Sequence, residues 1–586
     1  MFAYPDDGQY RQQIVAGMVV DWDVPIPMED GVVLRCDVFR PLGEGGHATL
    51  MTHGPYAKWK HFEDLHTVTY RKLHSEHPEV PAGSSNRFQV WETVDPEKWV
   101  RDGYAIVRVD SRGAGRSPGL LDVFSARETR DYANCIEWAA LQPWSNGRVG
   151  LNGISYYAIN QWQAAALRPK GLAAMCAWEG ASDFYREMAY HGGIFCNGFV
   201  DALETHQLHP VQHGRGAKGQ RSRLTGDWIS GPETLPDEEL GANRRSFAAD
   251  SRRHTLATDD YWTTRTPDLA RIDVPVFSAA NWGGNGLHLR GNIESFLGVS
   301  SQEKWLEIHP LEHWTTFYLD YGLRLQKKFF GHYLKDEPTG WLDEPRVRLT
   351  VRRPGERFFM REEEEWPLAR TNWTKFHLDG RRGDLSTEEP SGDASTTYAG
   401  FSHGATFITP PLAEETEITG PIAAKLWVSS STEDADLFLI VRVLAPDMKE
   451  VTFIGNADPH TPVAQGWLRV SHRKLDPERT RPYRPYHTHA EPQPMVPGKV
   501  YEVDVEIWPT CIAVPAGYRL ALTIRGKDYE YQGDPISTGI FKPYAGNAIF
   551  THDDPKNRPP AIFGGNVTIH SGPSTPSHVL LPVIPA

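Results

Sequence analysis

Val149-Gly-Leu-Asn-Gly-Ile-Ser-Tyr-Tyr-Ala158 is the stretch on which the reading of this chain turns. A short apolar run follows Gly147-Arg148, reaches Gly153 and presents Ser155. Ala158, Ile159, Gln161, Ala164, Ala165 and Ala166 then make a small-residue helical stretch. Strand, sharp turn with a serine at its apex, and helix form the arrangement of a nucleophile elbow. Such a turn strains the serine backbone and lifts its hydroxyl clear of a sheet edge. The helix N-terminus behind it favours negative charge on the reacting oxygen. The usual spacing is G-x-S-x-G, whereas position 157 here is Tyr and the small residue comes at Ala158. A lone Gly-x-Ser also suits a buried serine in an ordinary strand–helix turn, so the surrounding chain has to decide.

Upstream, Val19-Val20-x-Trp22-x-Val24 and Val32-Val33-Leu34-x-Cys36-x-Val38-Phe39 alternate around Glu29-Asp30-Gly31, which predicts a hairpin at an antiparallel sheet edge. A strand ending in His53-Gly-Pro-Tyr56 follows, and residues 59–94 read as a polar, aromatic insertion. Asp95 caps a short helix with Pro96 at its first position. Tyr104-Ala-Ile-Val-Arg-Val-Asp110 is a buried strand, and the glycines after it lack the G-x-G-x-x-G spacing of a dinucleotide site. Arg127 to Leu141 is an amphipathic helix. Beyond the elbow, Gly171 to Trp178, Val274 to Ala280 and Lys304 to His309 return as strands, and a helix carries Tyr321, Leu325, Phe329 and Phe330. Alternating strands and helices predict a mostly parallel sheet, here an α/β-hydrolase sheet. Residues 184–262 lack strand patterning and are expected to form a helical cap, in which His191-Gly192-Gly193 reads as a helix terminus.

Past residue 345 short alternating runs punctuated by Gly and Pro replace the helical periods, which predicts a β-sandwich of jelly-roll type. The expected division is therefore 1–183 and 263–344 for the α/β-hydrolase domain, 184–262 for the cap and 345–586 for the jelly roll.

The 586 residues exceed a single ordinary core. A net charge of −14 argues against nucleic acid as a partner, and the basic cluster Arg215, Lys218, Arg221 and Arg223 reads as a surface loop. No run approaches ~20 apolar residues, so no membrane partner is expected. The polar stretch Met1 to Gln13 lacks the apolar core of a signal peptide, so a cytoplasmic location is expected. Five scattered cysteines make no C-x-x-C pair, and His487-Thr-His489 has no further ligands at metal spacing. No metal and no organic cofactor are expected.

Elbow, Tyr56 loop, cap, late histidine and sandwich stand here in one order. In that combination the chain resembles the cocaine esterase-like hydrolases, a group that includes α-amino-acid ester hydrolases and, more distantly, X-Pro dipeptidyl-peptidases. The motifs that carry the resemblance are Gly147-Arg-Val-Gly-x-x-Gly-x-Ser-Tyr156, Pro55-Tyr56, Ser182-Asp183 with Tyr185-Arg186, and the His313 block. The group's elbow is G-x-S-Y-x-G, with Ala158 at the place of its second glycine. The resemblance implies Ser155 as nucleophile and His313 as general base. It implies an oxyanion hole built from the Tyr156 amide and the Tyr56 hydroxyl. The family's acid falls in a Trp-Tyr-Asp stretch, which here is Trp282-Gly283-Gly284, so the expected Asp is Gly284. Glu179, at the end of the preceding sheet strand, is the first candidate to orient His313. Asn285 is the alternative orienting residue, an inactive site is a third reading, and Glu312 adjoins His313 in a way that should make the two side chains diverge.

These residues predict a serine hydrolase that cleaves a small-molecule carboxylic ester, or an amide, through an acyl-enzyme. An acyltransferase using the same acyl-serine is one alternative, and a retired hydrolase fold acting as a binding protein is another. An aminopeptidase reading would draw on cap residues Glu187, Asp201 and Glu204 to grip an ammonium. Aromatic residues from Tyr156 to Phe199 suggest an apolar acyl pocket, and a homo-oligomer is compatible with the sequence.

Overall fold

A computed structural model describes Tyr4, residues 7–533, Gly546 and residues 549–585. Its N-terminal sheet runs Arg11–Val15, Met18–Pro27, Val33–Pro41, Tyr104–Asp110, His47–Gly54, Ser145–Ile154, Leu172–Trp178, Val276–Asn281, Lys304–His309, Val347–Arg353 and Arg357–Glu363. Pairing is parallel from Tyr104–Asp110 through to Val347–Arg353 and antiparallel at both flanks. The inner strands are apolar on both sides because both faces are covered. Ile106, Ala174 and Phe277 pack with Phe329 and Phe330 of the helix Asp320–Lys335. Their neighbours Val107, Met175 and Val276 pack with Ile136 and Ala164 of the helices Ala126–Ala140 and Tyr156–Ala166. Ser125 caps the first of these helices by accepting the Glu128 amide, and Asp95 caps Pro96–Val100 by accepting that of Glu97.

Val347–Arg353 alternates like a sandwich strand, yet it pairs in parallel with Lys304–His309 (Leu306 opposite Val347) and extends the N-terminal sheet. A period of two reports a strand but not which sheet it joins. The same strand meets Tyr501–Val514 at Arg352 and Ile512, which links the sheet to the C-terminal region. There, long antiparallel ladders join Thr416–Ser430 to Tyr501–Val514 and to His578–Ile584, and join Asp436–Leu444 to Arg519–Arg525. They enclose a separate apolar core containing Leu426, Leu439, Val505 and Leu522.

Residues 184–262 contain short helices, π-helical turns at Tyr185–Ala189 and Leu203–Leu208, and a small hairpin. His191 lies in this hairpin and not at a helix terminus. Gly192 and Gly193 turn the chain at φ 55° and 90°, pairing Tyr190–His191 with Ile194–Phe195. Among the described residues no helix is long and apolar enough to cross a membrane.

Candidate active site

Ser155 sits between the strand Ser145–Ile154 and the helix Tyr156–Ala166 with φ 55° and ψ −116°, a conformation a non-glycine residue adopts only under constraint. Three backbone bonds supply that constraint. The Ser155 amide donates to the Trp178 carbonyl (3.1 Å), and the Ser155 carbonyl accepts from Ala158 (2.9 Å) and Ile159 (2.7 Å). The glycine before it is needed: a Cβ at Gly153, where φ is +158°, would lie 2.5 Å from the Tyr157 Cβ. Ala158 is small for a related reason. A Cβ built at Gly180 would stand only 3.2 Å from that of Ala158, so helix and strand end approach closely here. The Tyr156 amide, first in its helix, is one of the N–H groups an α-helix leaves without an internal acceptor.

Tyr56 follows the strand His47–Gly54, which is the parallel neighbour of the elbow strand (Met51 opposite Leu151). Tyr56 and Ser155 thus leave the same sheet edge. The Tyr56 ring meets Tyr156 and Tyr157 edge-on at 5.5 and 5.8 Å. Burial and the neighbouring Glu92 charge hold its phenol well above the usual range, so it remains a hydrogen-bond donor. The Tyr156 phenol does a different task, donating to Glu128 (2.7 Å).

Glu179 ends the strand Leu172–Trp178 at φ 52° and is fully buried. Its Oε2 lies 2.8 Å from His313 Nδ1, and its Oε1 accepts from Asn281 (3.2 Å) and lies 3.0 Å from His309 Nε2. His309 in turn meets Glu307 at 2.7 Å. Burial works to raise the Glu179 carboxyl, but His313 and His309 reverse this and hold it at about 2. Asn285 does not take the orienting position. Its amide donates to the Trp282 carbonyl at 3.3 Å, because the loop turns it back toward its own strand end. Glu312 points away to Lys72 and Thr315. At Gly284 even a Cβ would come within 3.1 Å of the Asn281 carbonyl and 3.2 Å of the Leu289 amide, which leaves little space for an aspartate.

Glu92 carries no recognisable motif in the sequence. Its carboxylate Oε1 lies 3.0 Å from His313 Nε2, the nitrogen a serine hydroxyl would use. Its second oxygen is buried, and its backbone, at φ 62°, accepts the Ile154 amide at 3.1 Å. Burial opposes charge on His313, but the flanking Glu179 and Glu92 lift it to about 10. Burial raises the Glu92 carboxyl, with the Glu179 charge adding to it and His313 opposing. His288 stacks on His313 at 4.7 Å and 8°, and burial and the His313 charge push it down to about 3. The C-terminal region reaches this centre as well, since the His313 amide donates to the Asn456 carbonyl (3.0 Å).

The cap acids do not converge on an ammonium site. Glu187 pairs with Arg290, Asp201 with Arg252, and Glu204 accepts from Ser246 and Ala248. The suggested pocket aromatics are buried largely against one another, as in the Tyr185–Tyr190 stack at 4.8 Å.

Sheet, elbow and buried acid–histidine pair define a hydrolase-type fold. A model of the X-Pro dipeptidyl-peptidase S15 family matches residues 30–315, and one of the X-Pro dipeptidyl-peptidase C-terminal non-catalytic domain matches residues 339–580. A CocE/NonD family hydrolase from Staphylococcus aureus is 30% identical, with a TM-score of 0.82 over 97% of this chain and 94% of that one. The chain belongs to this family of hydrolases. Cocaine esterase from Rhodococcus sp. is 23% identical, covering 96% of this chain and 98% of that protein. An aminopeptidase from a marine-sediment Thaumarchaeota archaeon, 18% identical, shares the fold with a TM-score of 0.66 over 100% of this chain and 98% of that one.

Proposed function

We propose that the protein is a serine-dependent acyl hydrolase that cleaves a small carboxylic ester through an acyl-enzyme. The observation that carries this reading is the 2.8 Å contact of Glu179 with His313 Nδ1, at the sheet edge where Ser155 is held at φ 55°. Glu179 holds the proton of the neutral imidazole on Nδ1, which leaves the lone pair on Nε2, and stabilises the cation formed when that nitrogen takes a proton. Ser155 Oγ attacks the carbonyl as His313 removes its proton. The Tyr56 hydroxyl and the Tyr156 amide donate to the developing oxyanion. His313 then returns the proton to the leaving alcohol, and water repeats the sequence on the acyl-serine. Before any of this, Glu92 has to release Nε2, because an imidazolium held between two carboxylates is not a base.

Intact-protein mass after exposure to a fluorophosphonate tests the assignment. One adduct on the wild type is expected, absent in Ser155→Ala and slowed about 10⁴-fold in Glu179→Gln. Labelling unchanged in Glu179→Gln would remove the acid from the mechanism. No adduct on the wild type would leave the fold as a binding protein.

A further inference from the structure

Away from the elbow, His191, Cys196 and His552 bring Nδ1, Sγ and Nε2 within 4.8 Å of one another. All three side chains are buried, none more than 1% exposed. The inner nitrogens, His191 Nδ1 and His552 Nε2, face each other at 2.8 Å. Both outer nitrogens face oxygen: His552 Nδ1 lies 2.7 Å from the Asp528 carboxylate, and His191 Nε2 lies 3.4 Å from the Glu187 carbonyl. The Asp528 carboxylate holds the proton of neutral His552 on Nδ1, so its inner Nε2 presents a lone pair toward His191 and the thiol. In one His191 tautomer an Nδ1–H bond to His552 Nε2 spans this gap, and in the other two lone pairs and a thiol converge on one point, which is the donor set of a soft metal ion.

We propose that His191, Cys196 and His552 form a structural site for one zinc ion per chain. Two imidazoles and a thiolate suit zinc and exclude the hard, oxygen-seeking cations. A carboxylate behind one ligand histidine and a carbonyl behind the other is the usual outer support of such a centre. Zinc–nitrogen bonds of ~2.0–2.1 Å in a tetrahedral site set the two nitrogens about 3.3 Å apart and each about 3.6 Å from the sulfur. Reaching that geometry opens the two nitrogens from 2.8 Å and draws the sulfur, within 4.8 Å of them, in by about 1 Å. Binding releases the thiol proton to solvent and leaves a thiolate on the metal. The three side chains are buried, so the effect of the ion is mechanical. His191 and Cys196 belong to the hairpin and the turn after it, while His552 belongs to the C-terminal segment, and the ion ties the two together. Three side chains leave the fourth tetrahedral position to a water molecule, and Trp467 lies against the His191 ring at 4.8 Å.

Cobalt(II) titration of the chelator-treated full chain tests the proposal. One equivalent should produce a thiolate-to-cobalt band in the near ultraviolet, and one equivalent of zinc should bleach it. Zinc should also raise the Tm of the wild type by several degrees. Cys196→Ser should lose the band and the Tm rise, His552→Asn should weaken both, and Cys176→Ser should keep both. The wild-type readings stand even where a variant fails to fold. A wild type with neither band nor Tm rise overturns the site, and so does a band that survives Cys196→Ser.

Discussion

Ser155, Glu92 and Glu179 all hold positive φ (55°, 62° and 52°), so the elbow serine and both carboxylates that flank His313 sit in strained backbone. Each such residue costs about 1–3 kcal/mol and persists only where its surroundings over-determine it. What the strain secures here is a histidine gripped from both sides. Glu92 stabilises the imidazolium, so replacing it with a neutral amide removes that stabilisation and lowers the pKa of the base. Glu92→Gln should therefore shift the acid limb of the labelling-rate profile to lower pH by a unit or more, because neutral His313 becomes available earlier. An unmoved limb would show that Glu92 does not set the pKa of His313. Tyr56 belongs to the same scale. On the proposed mechanism Tyr56→Phe deletes one oxyanion donor and should cut ester turnover about 10²–10³-fold, with KM little changed. A loss confined to KM would assign the phenol to substrate binding.

At the scale of elements, the elbow is legible from sequence because its cause is local. Only glycine tolerates Gly153, only a small side chain tolerates position 158, and a change of period from strand to helix marks the join. Glu179 is legible for a similar reason, as the acid at the end of a strand whose edge faces the histidine. Glu92 is not: it reaches His313 from 221 residues away through an insertion with no period of its own. The sheet joined by Val347–Arg353 is equally hidden, since alternation is the same for either partner. The hairpin at 190–195 is hidden because its turn depends on contact with a distant strand. A Cβ at Gly192 would lie 2.0 Å from the Trp467 carbonyl, and φ is 55°. Gly192→Ala should destabilise the chain by about 1–3 kcal/mol, read as a lower urea midpoint at unchanged m-value. An unchanged midpoint would mean that the hairpin separates from the C-terminal region at no cost.

At the scale of the whole molecule, the C-terminal region is more than an appended module. Its Asn456 carbonyl accepts the His313 amide. Gly455 lies so close to the Trp282–Gly284 turn that a Cβ at Gly283 would stand 2.1 Å from the Gly455 Cα. Val347–Arg353 pairs with strands on both sides of the division. Unfolding one part would therefore expose the other's sheet edge and release the histidine loop at the same time. Two parts joined only by a linker melt separately, whereas parts that share a sheet and a buried contact melt together. Calorimetry should show a single transition, and the loss of fluorophosphonate labelling should follow the same curve. Gly455→Val, which presses on the Gly283 turn from the C-terminal side, should lower the labelling rate about tenfold while the chain remains folded. Two resolved transitions, with labelling lost at only one of them, would show instead that the N-terminal sheet stands without its C-terminal partner.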